Sequence, residues 1–237
     1  YDAPQPVTFQ LWLEPLAKFK LAAAGHGEHQ PPDHMRSRIA DLFDPLPDWY
    51  EPFEGGALEK GAFPLHAITQ RPAAMYHSWG SQNAWLRQIH TTNPLYVPGP
   101  VCDEAGLEDD DWAYLTSHHG KIKVQVKRME AVNSRTVWTW NAIGKRKGAW
   151  ALSHNAPEAE KGFLLNHLIN ELLPGSGEGL RWSNSDPITG QAAWYDLKVS
   201  IRKAEEGAGK SEPRFDAQKS SVASSDGQLR YGQEWSS

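Results

Sequence analysis

The chain has 237 residues, 24 Lys+Arg against 29 Asp+Glu for a net charge of −5, and 39% hydrophobic residues. That size and balance support one large or two small domains with a buried core and exclude wholesale disorder, while a mildly acidic chain without a basic run is a poor nucleic-acid binder. The single cysteine, Cys102, excludes an internal disulfide and any cysteine-built iron–sulfur or zinc site, and no apolar run reaches the length of a membrane span. The chain opens on Tyr1 and not Met, so a processed chain or a piece of a longer one is expected.

Residues 1–60 are rich in Pro and weakly periodic, and read as a strap, with short helices over Leu13 to Leu21 and Met35 to Phe43. Residues 61–203 read as the compact body. Phe63 to Thr69 is a predicted strand entering a loop broken at Pro72. Trp112 to Ser117 is a second strand, and Ser117-His118-His119-Gly120 a turn. Lys121 to Met129 then alternates, with Ile122, Val124 and Val126 on one face and Lys121, Lys123, Gln125 and Lys127 on the other, which is the period of a half-buried strand and completes a hairpin. Thr136 to Trp140 is β-rich. Glu160 to Leu173 has near-helical apolar spacing and stops at Pro174-Gly175, and Trp194 to Ile201 is a final strand. Residues 204–237 are polar and read as a tail that is flexible unless a partner holds it. The body is therefore mainly β with short helices, either a barrel or a sandwich.

No phosphate-cradling GxxxxGK[ST] loop, GxGxxG or GxSxG motif is present. His26 and His29 read as loop histidines, and His118 and His119 as caps of their turn; Glu108 to Asp111 reads as a solvated turn and Cys102 as an inert buried thiol. No catalytic residue and no metal ligand is assigned.

Four stretches within 61–203, in this order, resemble the C-terminal domain of the DMSO reductase family of molybdenum and tungsten oxidoreductases. They are Phe63 to Pro72 with Tyr76-His77-Ser78 and Gln82-Asn83; Asn93 to Val97 with Ala105 to Trp112; Ser117 to Trp140; and Gly162 to Leu168 with Asp186 to Gln191. Asp44 to Trp49 is similar to the segment leading into that domain. Two departures stand out. Asp110 replaces the family's turn glycine, a position Asp tolerates, and Pro98-Gly99-Pro100 replaces an Asn-Pro passage. The resemblance implies a six-stranded double-psi β-barrel with short flanking helices that binds part of a molybdopterin guanine dinucleotide. The metal ligand and an iron–sulfur cluster would lie in an earlier part of the chain that is missing here.

On that resemblance the cofactor-binding residues are Thr69, Gln70, Arg71, His77, Ser78, Gln82, Asn83, Asn166, Asp186 and Gln191. Arg71 suits a phosphate by bidentate pairing, or is a surface Arg before Pro72. His77 and Ser78 would face the pterin or pyrophosphate, the alternative for His77 being a core histidine bonded to backbone. Gln82 and Asn83 would read heterocycle edges. Asn166, set among leucines, is expected to be a buried amide whose partner is the cofactor or a backbone carbonyl. Asp186 and Gln191 suit a guanine edge, and Asp186 alternatively serves only a turn before Pro187.

The pattern including Trp138 to Lys145 and Asn155 to Glu158 looks most like the sulfite dehydrogenase and thiosulfate/polysulfide reductase group. Its implied partners are the rest of the catalytic subunit, an iron–sulfur electron-transfer subunit on which the tail would dock, and a membrane anchor subunit, with no nucleic acid. The implied location is the cytoplasm, membrane-associated through those partners, with the periplasm as the alternative. The whole enzyme would oxidise sulfite or reduce a sulfur oxyanion, and the isolated chain would be inactive. The competing reading is a stand-alone double-psi barrel that binds or adapts without redox activity; nitrate reductase and formate dehydrogenase are alternatives within the family.

Overall fold

The structure, a computed structural model, describes residues 11–80, 83–90, 92–141, 143, 163–174 and 182–205. The chain divides into two compact units, one of residues 1–51 with 185–192 and one of residues 52–184 with 193–237.

In the first unit, α1 (Glu14–Ala23) and α2 (Asp33–Leu42) match the two helices expected from sequence to within a few residues. Each starts where proline permits: Pro15 lies in the first turn of α1, and Pro32 is the residue before α2. Leu16 and Ile39 are buried, Phe19 meets Phe43 edge-on at 5.7 Å, and the Leu13 N–H donates to Pro45 O at 2.8 Å.

In the second unit a closed barrel follows α3 (Phe53–Ala57). Its strands are β1 (Leu65–Gln70), β2 (Leu95–Pro98), β3 (Trp112–Thr116), β4 (Lys121–Met129), β5 (Thr136–Trp140) and β6 (Lys198–Lys203), in the order β1-β5-β2-β4-β3-β6. Three short helices join them: α4 (His77–Gly80), α5 (Ala84–Ile89) and α6 (Gly99–Ala105). β1 pairs parallel with β5 and β2 with β4, while the other neighbours are antiparallel. Closure leaves no strand edge open.

The alternation in β4 comes out as expected: Ile122, Val124 and Val126 enter the core, opposite Ala113 and Leu115 of β3. β5 buries both faces. Val137 points inward, and Trp138 is covered outside by its cross-strand partner Tyr96, stacked at 3.9 Å and 9°. Leu65, Ala67, Leu95, Val97, Leu168 and Val199 complete the packed centre with Cys102, whose thiol burial pushes up in pKa. The expected thiol is thus buried, and its Sγ faces Val97 O at 3.8 Å.

Several expectations change. The helix read over 160–173 is replaced, within the described residues 163–174, by one 3-10 turn at Leu165–Leu168, because Phe163, Leu165 and Leu168 are spent on the barrel core instead of one helix face. The last strand starts at Lys198, with Trp194–Asp196 forming a 3-10 turn before it. Ser117 caps the hairpin turn, its Oγ accepting from His119 N and Gly120 N. The acidic run is an ion-paired turn. Asp109 meets Lys127 at 2.7 Å and Asp111 meets Lys203 at 2.6 Å, while Asp110 takes φ 69°, the left-handed conformation that the glycine replacement implied. β2 and α6 carry no clear sequence period and are absent from the elements expected above. The tail expected at 204–237 falls almost wholly outside the described residues.

Candidate functional site at one rim of the barrel

The pairing directions mean that β1, β3 and β5 run one way and β2, β4 and β6 the other. One rim therefore gathers the ends of the first three strands and the starts of the last three: Gln70-Arg71, Ser117 and Trp140-Asn141, with Asn93-Pro94, Lys121 and Lys198. A rim of strand ends and loops is where a scaffold can present backbone and side-chain donors to a ligand without disturbing its core.

Asn93 fastens this rim. It is 1% exposed, and its Nδ2 donates to Ile143 O at 3.1 Å and Trp140 O at 3.3 Å, with Phe163 O at 3.5 Å. Its Oδ1 accepts from Thr139 Oγ1 at 2.7 Å and Trp140 N at 3.2 Å. One amide thus ties the start of β2 to the end of β5 and to the segment that begins at Phe163. Across the rim, Ser117 Oγ donates to Leu168 O at 2.7 Å, which ties that same segment to the β3–β4 turn.

Thr69 and Gln70 end β1, where the Gln70 carbonyl accepts from Asn141 N at 2.6 Å. The exposed Arg71 guanidinium lies 5.2 Å from the centre of the Tyr76 ring. Both line an open cavity of about 500 Å³ with Pro72, Met75 and Leu86. His77 follows with φ 45°, an unusual conformation for a residue with a Cβ, and its ring meets Tyr76 edge-on at 5.4 Å. The tight turn into α4 demands a glycine at its far end, since a Cβ on Gly80 would sit 2.7 Å from Met75 Sδ and 3.1 Å from Met75 Cα. Ser78 lies in α4 by its backbone. Asn83 caps α5, its Oδ1 accepting from Trp85 N at 2.9 Å and Leu86 N at 3.4 Å. Gln82 falls outside the described residues.

Asn166 is exposed, not enclosed among leucines. The buried amide of this segment is Asn170, 7% exposed; its Oδ1 accepts from Leu172 N at 3.3 Å, and its Nδ2 has no hydrogen-bond partner among the described residues. Asp186 and Gln191 belong to the other compact unit. There the turn reading of Asp186 applies: its Oδ1 accepts from Ile188 N at 3.0 Å, Thr189 N at 2.6 Å and Thr189 Oγ1 at 2.9 Å. Burial pushes this carboxyl up in pKa, but the hydrogen bonds from Thr189 and Ile188 together hold it below the ordinary value.

The structure therefore brings Thr69, Gln70, Arg71 and His77 into one stretch at the rim, with Asn166 on the segment that Asn93 and Ser117 fasten there. The donor set is one guanidinium beside an open cavity, with hydroxyl, imidazole and amide groups. That chemistry fits an anionic, heterocyclic group. Among the described residues no group of three or more His, Cys, Asp and Glu is placed to hold a metal ion directly. Asn93, Asn170 and Glu54 are not assigned by the sequence reading. Only Asn93 carries a signal there, the Asn-Pro pair before a short apolar run; Glu54 sits unannounced beside Gly55-Gly56.

No protein-family model matches the chain. A sulfite dehydrogenase subunit of Allochromatium vinosum is 53% identical over 204 residues, covering 86% of this chain and 21% of that protein. Dopamine dehydroxylase of Eggerthella lenta is 23% identical over 199 residues, covering 81% of this chain and 17% of that protein. Among solved structures, acetylene hydratase from Pelobacter acetylenicus aligns with a TM-score of 0.49 at 21% identity, over 68% of this chain and 22% of that one. The chain spans about a fifth of the length of the curated relatives it matches. Over most of its length the chain is similar to segments of proteins named as oxidoreductases, one of them as a subunit.

Proposed function

We propose that this chain is the C-terminal cofactor-binding part of a molybdopterin-dependent oxidoreductase of the DMSO reductase family, with residues 61–203 as the domain that holds part of a molybdopterin guanine dinucleotide. The observation that carries this reading is the 53% identity, over 86% of the chain, with a sulfite dehydrogenase subunit. The closed barrel and its donor-rich rim support it. When bound, the cofactor supplies two-electron exchange with a small oxyanion, sulfite being the first to test. The role of this chain is to bind and orient. Arg71 pairs with a phosphate, and Thr69, Gln70, His77, Ser78, Gln82, Asn83 and Asn166 offer hydroxyl, imidazole and amide groups to the heterocycles. The iron–sulfur cluster, the electron-transfer and anchor subunits, and the cytoplasmic, membrane-associated location belong to the same proposal.

The test uses the full catalytic protein from its native source. Metal analysis should find molybdenum or tungsten, and acid hydrolysis should release GMP in step with the metal. Arg71→Ala should lower both together and lower sulfite-dependent reduction of an artificial acceptor in proportion. A pure, folded protein without either metal or GMP would favour the stand-alone binding barrel instead.

A further inference from the structure

The same unit buries a second cluster of titratable groups. Glu54 of α3 is 1% exposed. Its Oε1 accepts from Lys198 N at 3.0 Å and its Oε2 from Asn184 Nδ2 at 3.3 Å. The nearest basic side chain paired to it is His118, in the β3–β4 turn, with Nε2 3.9 Å from Oε1. The ammonium of Lys198 is committed elsewhere, 2.8 Å from His66 Nε2. An ammonium has only protons to give, so His66 Nε2 must be the acceptor; that ring is neutral with its proton on Nδ1. Burial and then Lys198 hold the His66 pKa down, in agreement with this tautomer. Asp196 completes the set; burial raises its pKa, and its charge opposes ionisation of Glu54. His119 stands next to His118, ring centres 6.5 Å apart.

A fully buried carboxylate with two donors, a competing Asp196 and only the weaker attraction of the Lys198 ammonium, itself bonded to His66, is poorly compensated. One proton resolves this. On His118 it makes an ion pair with Glu54; on Glu54 it makes a neutral acid that can donate. Asn184 marks the second option, because its buried Oδ1 has no hydrogen-bond partner while its amide already faces Glu54.

We infer that Glu54 and His118 form a buried proton-binding site, one proton shared between them, that latches α3 onto the β6 start and the β3–β4 turn and loosens when that proton leaves. Burial, the largest influence, pushes the Glu54 carboxyl up to about 7, with Asp196 adding to it, so the proton leaves near neutrality. The sign follows from linkage. Glu54 binds its proton more tightly folded than unfolded, so the latch is at full strength below the ordinary carboxyl value of 4.5, weakens as pH rises from there, and has lost the proton's contribution once pH passes about 7.

Hydrogen exchange in the full catalytic protein tests this. Protection factors for residues 53–57, corrected for intrinsic rates, should fall between about pH 4.5 and about pH 7, approaching tenfold per pH unit for one proton lost, and level off above that. Protection in β4, remote from α3 in sequence, should hold steady. Glu54→Gln keeps shape and neutrality, so its 53–57 protection should be independent of pH. His118→Gln should move the midpoint of the fall, and serves alone if Glu54→Gln does not fold. A wild-type profile flat from about pH 4.5 to 7, or a pH-dependent profile that neither variant alters, would overturn the latch. Neither outcome depends on whether the protein binds a cofactor, so the latch and the cofactor-binding role fail separately.

Discussion

Replacing Asn93 should damage the rim more than any other single polar change. Asn93→Ala removes three well-formed hydrogen bonds, to Thr139 Oγ1 (2.7 Å), Ile143 O (3.1 Å) and Trp140 N (3.2 Å), and two longer ones. Thr139 keeps an alternative, since its Oγ1 lies 3.2 Å from Pro94 O. Trp140 N and the carbonyls of Ile143 and Phe163 have no such replacement from this side chain. At about 1–3 kcal/mol for each buried group left unpaired, and with partial relaxation, the loss should be about 3–6 kcal/mol. Asn93→Asp is the sharper probe. It keeps Oδ1 but aims a second oxygen at three carbonyls, so it should be tolerated only when protonated and should destabilise more at pH 8 than at pH 5. Thr139→Val should cost about 1 kcal/mol, and the Asn93→Ala/Thr139→Val pair should be less than additive because they share a bond. Urea unfolding of the purified chain measures all four. A loss below about 1 kcal/mol for Asn93→Ala, or full additivity with Thr139→Val, would refute the view that this amide fastens the rim.

Gly80→Ala should destabilise the turn into α4 by about 1–3 kcal/mol, since its Cβ would meet Met75 Sδ at 2.7 Å and backbone at 3.1 Å; a thermal scan checks it. Asp110→Gly should leave stability unchanged or raise it by up to about 1 kcal/mol, because Asp110 holds φ 69°, where a Cβ is a burden and glycine is not; a decrease beyond about 1 kcal/mol would mean that its side chain contributes more than its backbone costs. Cys102 should resist thiol reagents in the folded chain and react fully in denaturant, since it is wholly buried and burial raises its pKa; rapid labelling under native conditions would contradict the packing around α6.

The elements legible in sequence are those whose stability is set by a local period. In β4 the alternation of Ile122, Val124 and Val126 with lysines and Gln125 leaves only one way to bury the apolar face, and the structure follows it. α1 and α2 have proline at their starts and enough apolar spacing to bury Leu16 and Ile39. Asp110 in the left-handed region is expected from the resemblance, which puts a turn glycine at that position, and the structure gives it φ 69°. Position in the barrel is another matter. β2 is four residues ending in proline and has no period of its own; it becomes a strand because Tyr96 stacks on Trp138 and Leu95 and Val97 fill a core built by other strands. The 163–174 segment has a helical period, yet bonds to Asn93 and Ser117 and the core places of Leu165 and Leu168 override it. The candidate site shows the same division. Arg71 beside a proline loop is visible as a residue type, but its seat on Tyr76 is not. Asn166 and Asn170 lie four residues apart with similar neighbours, and only the course of the chain decides that the second is buried. The proton-binding cluster is invisible in sequence for the same reason: Glu54, His118, Asn184 and Lys198 are separated by up to 144 residues, and the burial that gives Glu54 its chemistry exists only once the barrel has closed. Local sequence can state what a residue prefers; solvent exclusion and pairing across long separations determine what it is made to do.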